Sequence, residues 1–207
     1  CMGVGNNGLV YRPDWVYISI KSFYKQIMRN YTHLNLNNTL LDKIKSHKLT
    51  IWLNKKSYYY HDYQILSYKA VSEKKDILIN APTGAGKTIA ALMAPIINFD
   101  EDEKTGAFTT LYISPLKSLV YDVNRSLNDC IIGSNLNISI ETRTGDTTNY
   151  KKQKQLKNPP NFLVTTPESF ALMMSYENAN IFFSNIKYII IDELHSIIYT
   201  KRGDLLT

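Results

Sequence analysis

The sequence APTGAGKT at residues 81–88 constrains the fold of this chain more than any other stretch. It follows an apolar run at 76–80 and precedes a run with helix-forming composition at 89–94. A strand, a glycine-rich turn and a helix in this order are the context that a phosphate-binding loop requires. Residues 76–94 therefore predict the strand–loop–helix unit of a nucleotide-binding α/β fold.

The chemistry of this loop depends on two glycines and a few side chains. Gly84 and Gly86 let successive backbone N–H groups turn toward an anion, and the following helix adds its positive N-terminal end. Lys87 is expected to reach the β- and γ-phosphates of a nucleotide, and the Thr88 hydroxyl to bind Mg²⁺. Ala81 stands where the general pattern has glycine, and the alternative is an ordinary turn before a helix. The ending Gly-x-Gly-Lys-Thr favours nucleotide binding, with the expected residues Ala81, Pro82, Thr83, Gly84, Ala85, Gly86, Lys87 and Thr88.

Length and composition fit one domain, or one domain with an appendage, because the chain has 207 residues of which 44% are hydrophobic. No apolar run approaches the roughly 20 residues of a membrane span, and no signal peptide is visible. The two cysteines, Cys1 and Cys130, do not form a disulfide framework or a metal cluster. We therefore expect a cytoplasmic protein with unpaired thiols and no membrane partner.

The positive charge of the chain is concentrated at its N-terminal end. Residues 1–60 hold nine Lys or Arg and two Asp, a formal charge of +7, which leaves −1 for the rest of a chain whose total is +6. Basic residues interleaved with Tyr, Trp and Phe suit contacts with a nucleic-acid backbone and stacking on its bases. A solvated basic surface is the alternative, since charge runs often have no further role.

Strand and helix patterns alternate from about residue 61 onward, which predicts a parallel sheet flanked by helices. The predicted strands are 76–80, 110–113, 137–140, 162–164 and 187–191, and the helices are 63–71, 116–127, 150–156 and one that begins at Pro167. The N-terminal part predicts irregular chain at 1–15, helices at 19–31 and 40–47, and a short strand at 49–53.

The sequence Asp-Glu-Leu-His at 192–195 follows the last of these strands. The strand at 187–191 is continuously apolar, so we expect burial on both faces. Ligands bind at the carboxyl ends of parallel strands, and two acids placed there are costly unless they have a role. Asp192 is expected to hold Mg²⁺, and Glu193 to orient and deprotonate an attacking water. The alternative is a helix N-terminus whose first turn favours acids.

Taken together, these segments resemble the first RecA-like domain of a superfamily 2 helicase of the DExH type. The resemblance rests on Gln64, which lies 23 positions before Lys87, on the loop at 81–88 and on 192–195. Further segments agree with the family in order, namely 114–119, 143–147, 165–169 and 201–203. The whole set is most similar to the large-helicase-related (Lhr) type. The resemblance covers residues 61–207, which we take as a partial helicase ATP-binding domain. Residues 1–60 form a mainly helical basic extension that resembles no family.

The resemblance implies ATP and Mg²⁺ as cofactors and a role for each matched residue. Gln64 would recognise adenine, since its carboxamide can both donate and accept hydrogen bonds. His195 would couple the nucleotide site to a later motif, and Lys87, Asp192 and Glu193 would act in catalysis. The partner would be single-stranded or duplex DNA or RNA. One strand would be contacted, mostly through its phosphates and with little base specificity, by Pro115, Leu116, Lys117, Arg143, Thr144, Gly145, Thr166 and Pro167.

The sequence stops twelve residues after His195, before the family's motif III, its second RecA-like domain and its arginine fingers. Arginine fingers contribute about 10³–10⁵ in rate to phosphoryl transfer, so we expect this chain alone to be nearly inert as an ATPase. In the family's sheet, the motif III strand inserts between the strands at 76–80 and 187–191. We therefore expect a gap between those two strands, or a segment from 1–60 or the C-terminal tail in that position.

Two other classes of function share parts of this pattern. A metabolic P-loop kinase or a GTPase would have the loop, but the Asn-Lys-x-Asp base reader of GTPases does not follow it. Gln64 and the residues at 192–195 favour the helicase over this class. A DNA motor of a restriction or nuclease system shares all of these motifs and stays open as an alternative.

Overall fold

The computed structural model of this chain describes residues 15–19, 38–99 and 108–198, and for 15–19 it describes the backbone alone. The chain divides into two compact units, Cys1–Asn98 and Phe99–Thr207. Of the sequence-based predictions, most of the helix at 19–31, most of the irregular segment at 1–15 and the segment at 201–203 lie outside the described residues. Across the described ranges, no helix is both long enough and apolar enough to cross a membrane.

Among the described residues, the first unit contains a two-stranded parallel sheet, with three helices between its strands in the sequence and a fourth after the second strand. In chain order its elements are β1 (Trp15–Ser19), α1 (Asn38–Ser46), α2 (Lys48–Lys55), α3 (Asp62–Ser72), β2 (Asp76–Asn80) and α4 (Lys87–Ile97). β1 pairs with β2 in parallel, from Trp15 opposite Asp76 to Ser19 opposite Asn80. The strand β2 and helices α1, α3 and α4 confirm the predicted elements of this region.

The predicted strand at 49–53 is wrong, because these residues lie in helix α2. Leu49, Thr50 and Leu53 are its buried residues, and their spacing places them on one face of a helix. The helix begins after His47, whose Nδ1 accepts a hydrogen bond from the Leu49 N–H at 3.1 Å. This cap satisfies one of the N–H groups that the first helical turn leaves without a backbone acceptor. Ser19, the predicted start of a helix, belongs instead to strand β1.

The second unit is a four-stranded parallel sheet with helices between its strands. Its elements are β3 (Thr110–Ile113), α5 (Lys117–Gly133), β4 (Ile140–Arg143), α6 (Asn149–Lys157), β5 (Phe162–Thr165), α7 (Pro167–Met174), α8 (Ala179–Phe182), β6 (Tyr188–Ile191) and α9 (Leu194–Ile198). The strand order is β4-β5-β3-β6. The alternation of strands and helices and the parallel sheet are confirmed. Its core contains Phe108, Leu111, Ile113, Leu163 and Met173.

Two elements of this unit differ in extent from the prediction. Strand β4 begins at Ile140, three residues after the predicted start, because Ser139 bonds a side chain: its N–H and its hydroxyl donate to Asn161 Oδ1 at 2.9 and 2.8 Å. Helix α5 continues to Gly133, beyond the predicted end at 127, because Cys130 and Ile131 extend its buried stripe.

Strand β6 is not buried on both faces, so that prediction is wrong. Its burial alternates, with Ile189 58% and Ile191 41% exposed. Within the described residues, β6 pairs with β3 and forms an edge of the four-stranded sheet. A continuously apolar strand can thus expose one face, because burial depends on the elements that cover the sheet and not on the strand alone.

Strand β2, which precedes the loop at 81–88, and strand β6, which precedes Asp192, belong to different sheets. β3 lies between β5 and β6, so the strand that follows the helix of the loop is not the neighbour of β2, as expected. The described pairing partner of β2 is β1, which comes from residues 1–60. A segment placed between the strands at 76–80 and 187–191 stays a prediction.

Candidate functional site

The loop between β2 and α4 has the backbone geometry of an anion cradle. Gly84 and Gly86 have φ values of 79° and 84°, in the left-handed region that side chains other than glycine rarely adopt. Gly86 is the N-cap of α4, and no side chain caps that end of the helix. The first N–H groups of α4 and its positive end therefore suit an anion held by the loop.

Lys87 and Gly86 are both enclosed by the loop and its surroundings. The Lys87 ammonium donates to the carbonyl of Ala81 across the loop at 2.9 Å. A Cβ added to Gly86 would come within 2.7 Å of both Gln64 Nε2 and Tyr58 Oη. The backbone at Gly86 thus has no room for a side chain, whereas a Cβ on Gly84 would meet nothing within 4 Å.

Helix α3 fixes this loop through two side chains. Gln64 is fully buried: its Oε1 accepts from the His61 N–H at 2.8 Å, and its Nε2 donates to the Gly86 carbonyl at 2.9 Å and to Tyr58 Oη at 2.9 Å. The Tyr63 hydroxyl donates to the carbonyl of Ala85. Gln64 was identified from its spacing, whereas nothing in the sequence singled out Tyr58 or Tyr63 as loop contacts. Adenine recognition by Gln64 stays a prediction.

In the second unit, Asp192 directly follows β6 and is held by three hydrogen bonds. Its N–H donates to the Ile113 carbonyl at 2.8 Å and so continues the pairing with β3. Its Oδ2 accepts from the Tyr112 hydroxyl at 2.9 Å, and its Oδ1 accepts from the Glu193 N–H at 2.9 Å. These bonds fix the carboxylate at the carboxyl end of the strand, as the sequence pattern predicted. Tyr112 was not identified from the sequence.

Glu193 has a strained backbone, with φ of +47°. A glutamate in the left-handed region costs on the order of 1–3 kcal/mol, and such outliers cluster at functional sites. Ser196 stabilises this conformation, since its N–H and its hydroxyl both donate to the Glu193 carbonyl at 2.8 Å. The Glu193 carboxylate lies 3.4 Å from Nδ1 of His195, whose side chain is mostly exposed. The side chains of Glu193 and His195 are therefore neighbours, and their separate predicted roles stay predictions.

The Asp192 carboxylate in the second unit and the Thr88 hydroxyl in the first are, each by itself, ligand types that suit Mg²⁺. This ion takes one or two carboxylates, keeps several waters and completes its shell with substrate phosphates. In the ranges that the structure describes, no three or more His, Cys, Asp or Glu side chains converge on one point. The residues present thus fit an ion shared with a nucleotide, and they do not form an all-protein cage.

Replacing Tyr112 by phenylalanine tests whether the hydroxyl orients Asp192. The variant removes the buried donor to Oδ2, so we expect the Mg²⁺ concentration for half-maximal ATPase activity of the full-length protein to rise by roughly tenfold, as for other residues that support metal ligands. The measurement is a Mg²⁺ titration at saturating ATP. Tyr150→Phe is the control, because Tyr150 is 82% exposed on α6. An unchanged Mg²⁺ dependence in Tyr112→Phe would contradict this role.

The predicted nucleic-acid residues surround one cleft in the second unit. The cleft has a volume of about 440 Å³ and is lined by Pro115, Leu116, Lys117, Arg143, Thr144, Gly145, Lys152, Thr166, Glu168, Ser169 and Leu172. Seven of the eight predicted residues are in this set. The remaining one, Pro167, is buried in the first turn of α7 and does not line the cleft.

Two helices begin at this cleft. Leu116 is the N-cap of α5 and 51% exposed, and no side chain caps that end. Thr166 caps α7, where its Oγ1 accepts from the Ser169 N–H at 3.4 Å. Lys117, the first residue of α5, forms an ion pair with Asp146 at 2.7 Å. Helix N-termini and a lysine at one edge of a sheet favour phosphate groups.

Arg143 and Thr144 border the cleft but are buried. Arg143 is 2% exposed, donates to the Tyr176 hydroxyl at 2.9 Å and to the Lys152 carbonyl at 3.4 Å, and its guanidinium lies 5.5 Å from the centre of the Tyr176 ring. In the described part of the chain, no carboxylate forms an ion pair with it. The Thr144 hydroxyl is 3.3 Å from Tyr121 Oη. Direct phosphate contacts by these two residues stay predictions.

The sequence missed four residues of the cleft. Lys152 belongs to the basic helix predicted at 150–156, and that basic character was the one available signal for it. Glu168 and Ser169 belong to the segment 165–169 of the family resemblance, which was the signal for them, whereas helical spacing alone does not identify Leu172 on α7 as a lining residue.

Comparison with known proteins places these motifs in a family context. The family model described as DEAD/DEAH box helicase matches residues 61–207. The ATP-dependent helicase Lhr-Core of Methanocaldococcus jannaschii is 36% identical over 73% of this chain and 20% of its own length. The chain thus spans about a fifth of this relative.

Solved structures resemble the fold as well. The structure of Mycobacterium smegmatis helicase Lhr bound to ssDNA and AMP-PNP has a TM-score of 0.70 and 33% identity, over 78% of this chain and 22% of that one. Mss116p bound to ssRNA and AMP-PNP has a TM-score of 0.71 over 93% of this chain and 38% of that one. At 15% identity, the second likeness concerns the RecA-like fold alone.

Proposed function

Because the chain belongs to the DEAD/DEAH box helicase family, we propose that it is the ATP-binding part of an ATP-dependent helicase or translocase that moves on or unwinds DNA or RNA. The observation that carries this proposal is the loop at 81–88, with left-handed Gly84 and Gly86 and an uncapped helix start at Lys87. This backbone geometry at the start of α4 supports the proposal that the loop holds a triphosphate.

The nucleotide site is proposed to work through the following residues. Bound ATP with Mg²⁺ supplies the γ-phosphoryl group and neutralises part of its charge. The loop N–H groups and Lys87 bind the phosphates, Thr88 and Asp192 hold the ion, and Glu193 accepts a proton from water.

Two further roles complete the nucleotide site. His195, 3.4 Å from the Glu193 carboxylate, relays the state of the site to a later motif. Gln64 reads adenine while fastening the loop through the Gly86 carbonyl.

The cleft of the second unit is proposed to bind one nucleic-acid strand through its phosphates. The uncapped start of α5, Lys117, and the buried cation of Arg143 support this placement. Relatives of this fold have been solved with ssDNA and with ssRNA. Contacts to phosphates position a strand without reading its sequence, so binding should be insensitive to base composition.

The domain organisation proposed for this chain has a boundary near residue 61. Residues 61–207 are the partial helicase domain, and 1–60 are the basic extension, whose described part contains helices α1 and α2 and supplies strand β1 beside β2. A second RecA-like domain, as in the family, completes the ATP site with its arginine fingers.

Lys117→Ala tests the cleft directly. Loss of one phosphate contact should weaken single-strand binding of the full-length protein and lower the slope of log K against log salt by about 0.7. Fluorescence anisotropy with a labelled oligothymidylate, repeated over a salt series, gives both quantities. Arg125→Ala is the matched control, because it removes a cation from the same helix that is 77% exposed and does not line the cleft. Equal affinities and slopes for both variants would place the strand elsewhere.

A further inference from the structure

We propose that Asp146 sets the nucleic-acid affinity of the cleft, because its carboxylate occupies, in the free protein, the place at Lys117 that a backbone phosphate takes on binding. This inference rests on the proposed function and adds a residue that opposes binding to those that promote it. The strand must displace Asp146 from Lys117 before that lysine can contact a phosphate.

The ion pair is close, and its lysine lines the cleft, as does Gly145, the residue before Asp146. Lys117 Nζ is 2.7 Å from Asp146 Oδ1, the distance of a charge-assisted hydrogen bond. The two side chains are 51% and 62% exposed, so both are reachable by a ligand in solution. The lysine lies beside the backbone of Gly145, since a Cβ built there would be 3.8 Å from Lys117 Nζ, an ordinary van der Waals contact.

The turn that carries Asp146 is fixed by hydrogen bonds. The Thr147 N–H donates to the Thr144 carbonyl at 3.1 Å, and the Thr144 N–H donates to Thr147 Oγ1 at 2.9 Å. The Asp146 N–H donates to Thr144 Oγ1 at 3.3 Å. The backbone therefore presents this short side chain toward Lys117, and few rotatable bonds must be ordered to keep the pair.

The electrostatics of the site explain why an acid there competes with phosphate. Lys117 is the first residue of α5, where the positive end of the helix and the lysine charge add together and favour an anion. No side chain caps this end, and Arg143 brings a buried cation to the same cleft. Asp146 supplies the negative charge from within the chain. When a phosphate replaces Asp146 at Lys117, the displaced carboxylate lies near the negatively charged nucleic-acid backbone and repels it.

This exchange has a measurable cost in affinity and in salt dependence. Exposed ion pairs are weak, so removing the competitor should tighten binding by about two- to fivefold at low salt. In the wild type, the displaced carboxylate takes up a cation and offsets the counterion that the phosphate releases. Without that offset, the slope of log K against log salt should become steeper by up to about 0.7.

The test is Asp146→Asn in the full-length protein, with the labelled oligothymidylate and salt series used for Lys117. We expect tighter binding and a steeper slope. Asp122→Asn is the matched control: it makes the same change in net charge, but Asp122, 65% exposed, pairs at 4.0 Å with Arg125, which does not line the cleft, whereas Asp146 pairs with Lys117, which does. Asp146→Ser serves as a second neutral variant if asparagine disturbs the turn.

The outcomes separate this inference from the proposed function. Weaker binding would mean that Asp146 positions Lys117 for the phosphate, and affinities equal to those of Asp122→Asn would mean an ordinary surface pair; either result overturns the inference. Placed in a Lys117→Ala background, Asp146→Asn should no longer steepen the slope. If Lys117→Ala alone leaves binding unchanged, the result contradicts the proposed function, in which the cleft binds nucleic acid.

Discussion

Gly86→Ala is expected to reduce nucleotide affinity on the order of a hundredfold. Two costs combine at this position. Alanine is strained at the φ of 84°, and its Cβ would lie 2.7 Å from Gln64 Nε2 and Tyr58 Oη, both of which belong to the hydrogen-bond network that fixes the loop. Relieving that contact moves Gln64 away from the Gly86 carbonyl and displaces the N–H groups that would bind phosphate.

The matched control for this variant is Gly84→Ala. Gly84 has nearly the same φ, 79°, but nothing lies within 4 Å of an added Cβ. It should therefore show the cost of backbone strain alone and lose much less affinity. Titration of the full-length protein with a fluorescent ATP analogue, with thermal melts to verify folding, measures both variants. Equal losses would show that strain alone matters, and an unchanged Gly86→Ala would exclude this loop as the phosphate site.

Glu193→Gln is expected to reduce ATP hydrolysis by about 10²–10⁴-fold while leaving ATP binding intact. Glutamine has nearly the same size and makes the same backbone demands at the φ of +47°, so the hydrogen bonds from Ser196 should persist. What changes is the ability to accept a proton from the attacking water. The variant should therefore hold ATP without turning it over.

Single-turnover hydrolysis in the presence of nucleic acid, together with nucleotide binding, tests this expectation. Glu177→Gln is the control, since it makes the same change at an exposed position of the second unit. Undiminished turnover in Glu193→Gln would remove Glu193 from the role of base. Loss of both binding and turnover would point instead to a role in holding the ion.

The sequence predicted the elements that carry strong local patterns. Strands β2 and β3 could be placed because each is a contiguous apolar run, and the loop at 81–88 because its glycines and Lys-Thr ending are contiguous. The segment at 49–53 was misassigned because a short run of apolar and β-branched residues is ambiguous between strand and helix. Its helical state is stabilised by the cap from His47 and by burial of one face, neither of which local composition reveals.

Several site contacts that the sequence did not reveal join residues far apart along the chain. Tyr112 bonds Asp192 eighty positions later, and Tyr63 bonds Ala85 twenty-two positions later. Asp146 meets Lys117 over twenty-nine positions. Such contacts depend on the tertiary arrangement. A tyrosine outside a motif gives no sign of its partner, and the place of Asp146 in the segment 143–147 does not indicate its contact with Lys117.

The pairing of β1 with β2 has a consequence for how the nucleotide loop forms during folding. Trp15 lies opposite Asp76, so the loop strand gains this partner only after residues sixty-one positions apart in sequence have met. Closing so long a segment is entropically unfavourable until later contacts compensate, and non-local strand pairing of this kind slows folding. During synthesis β1 is made first and stays unpaired until β2 has been made. We therefore expect this edge of the first unit to form late in folding, after the intervening helices have formed locally.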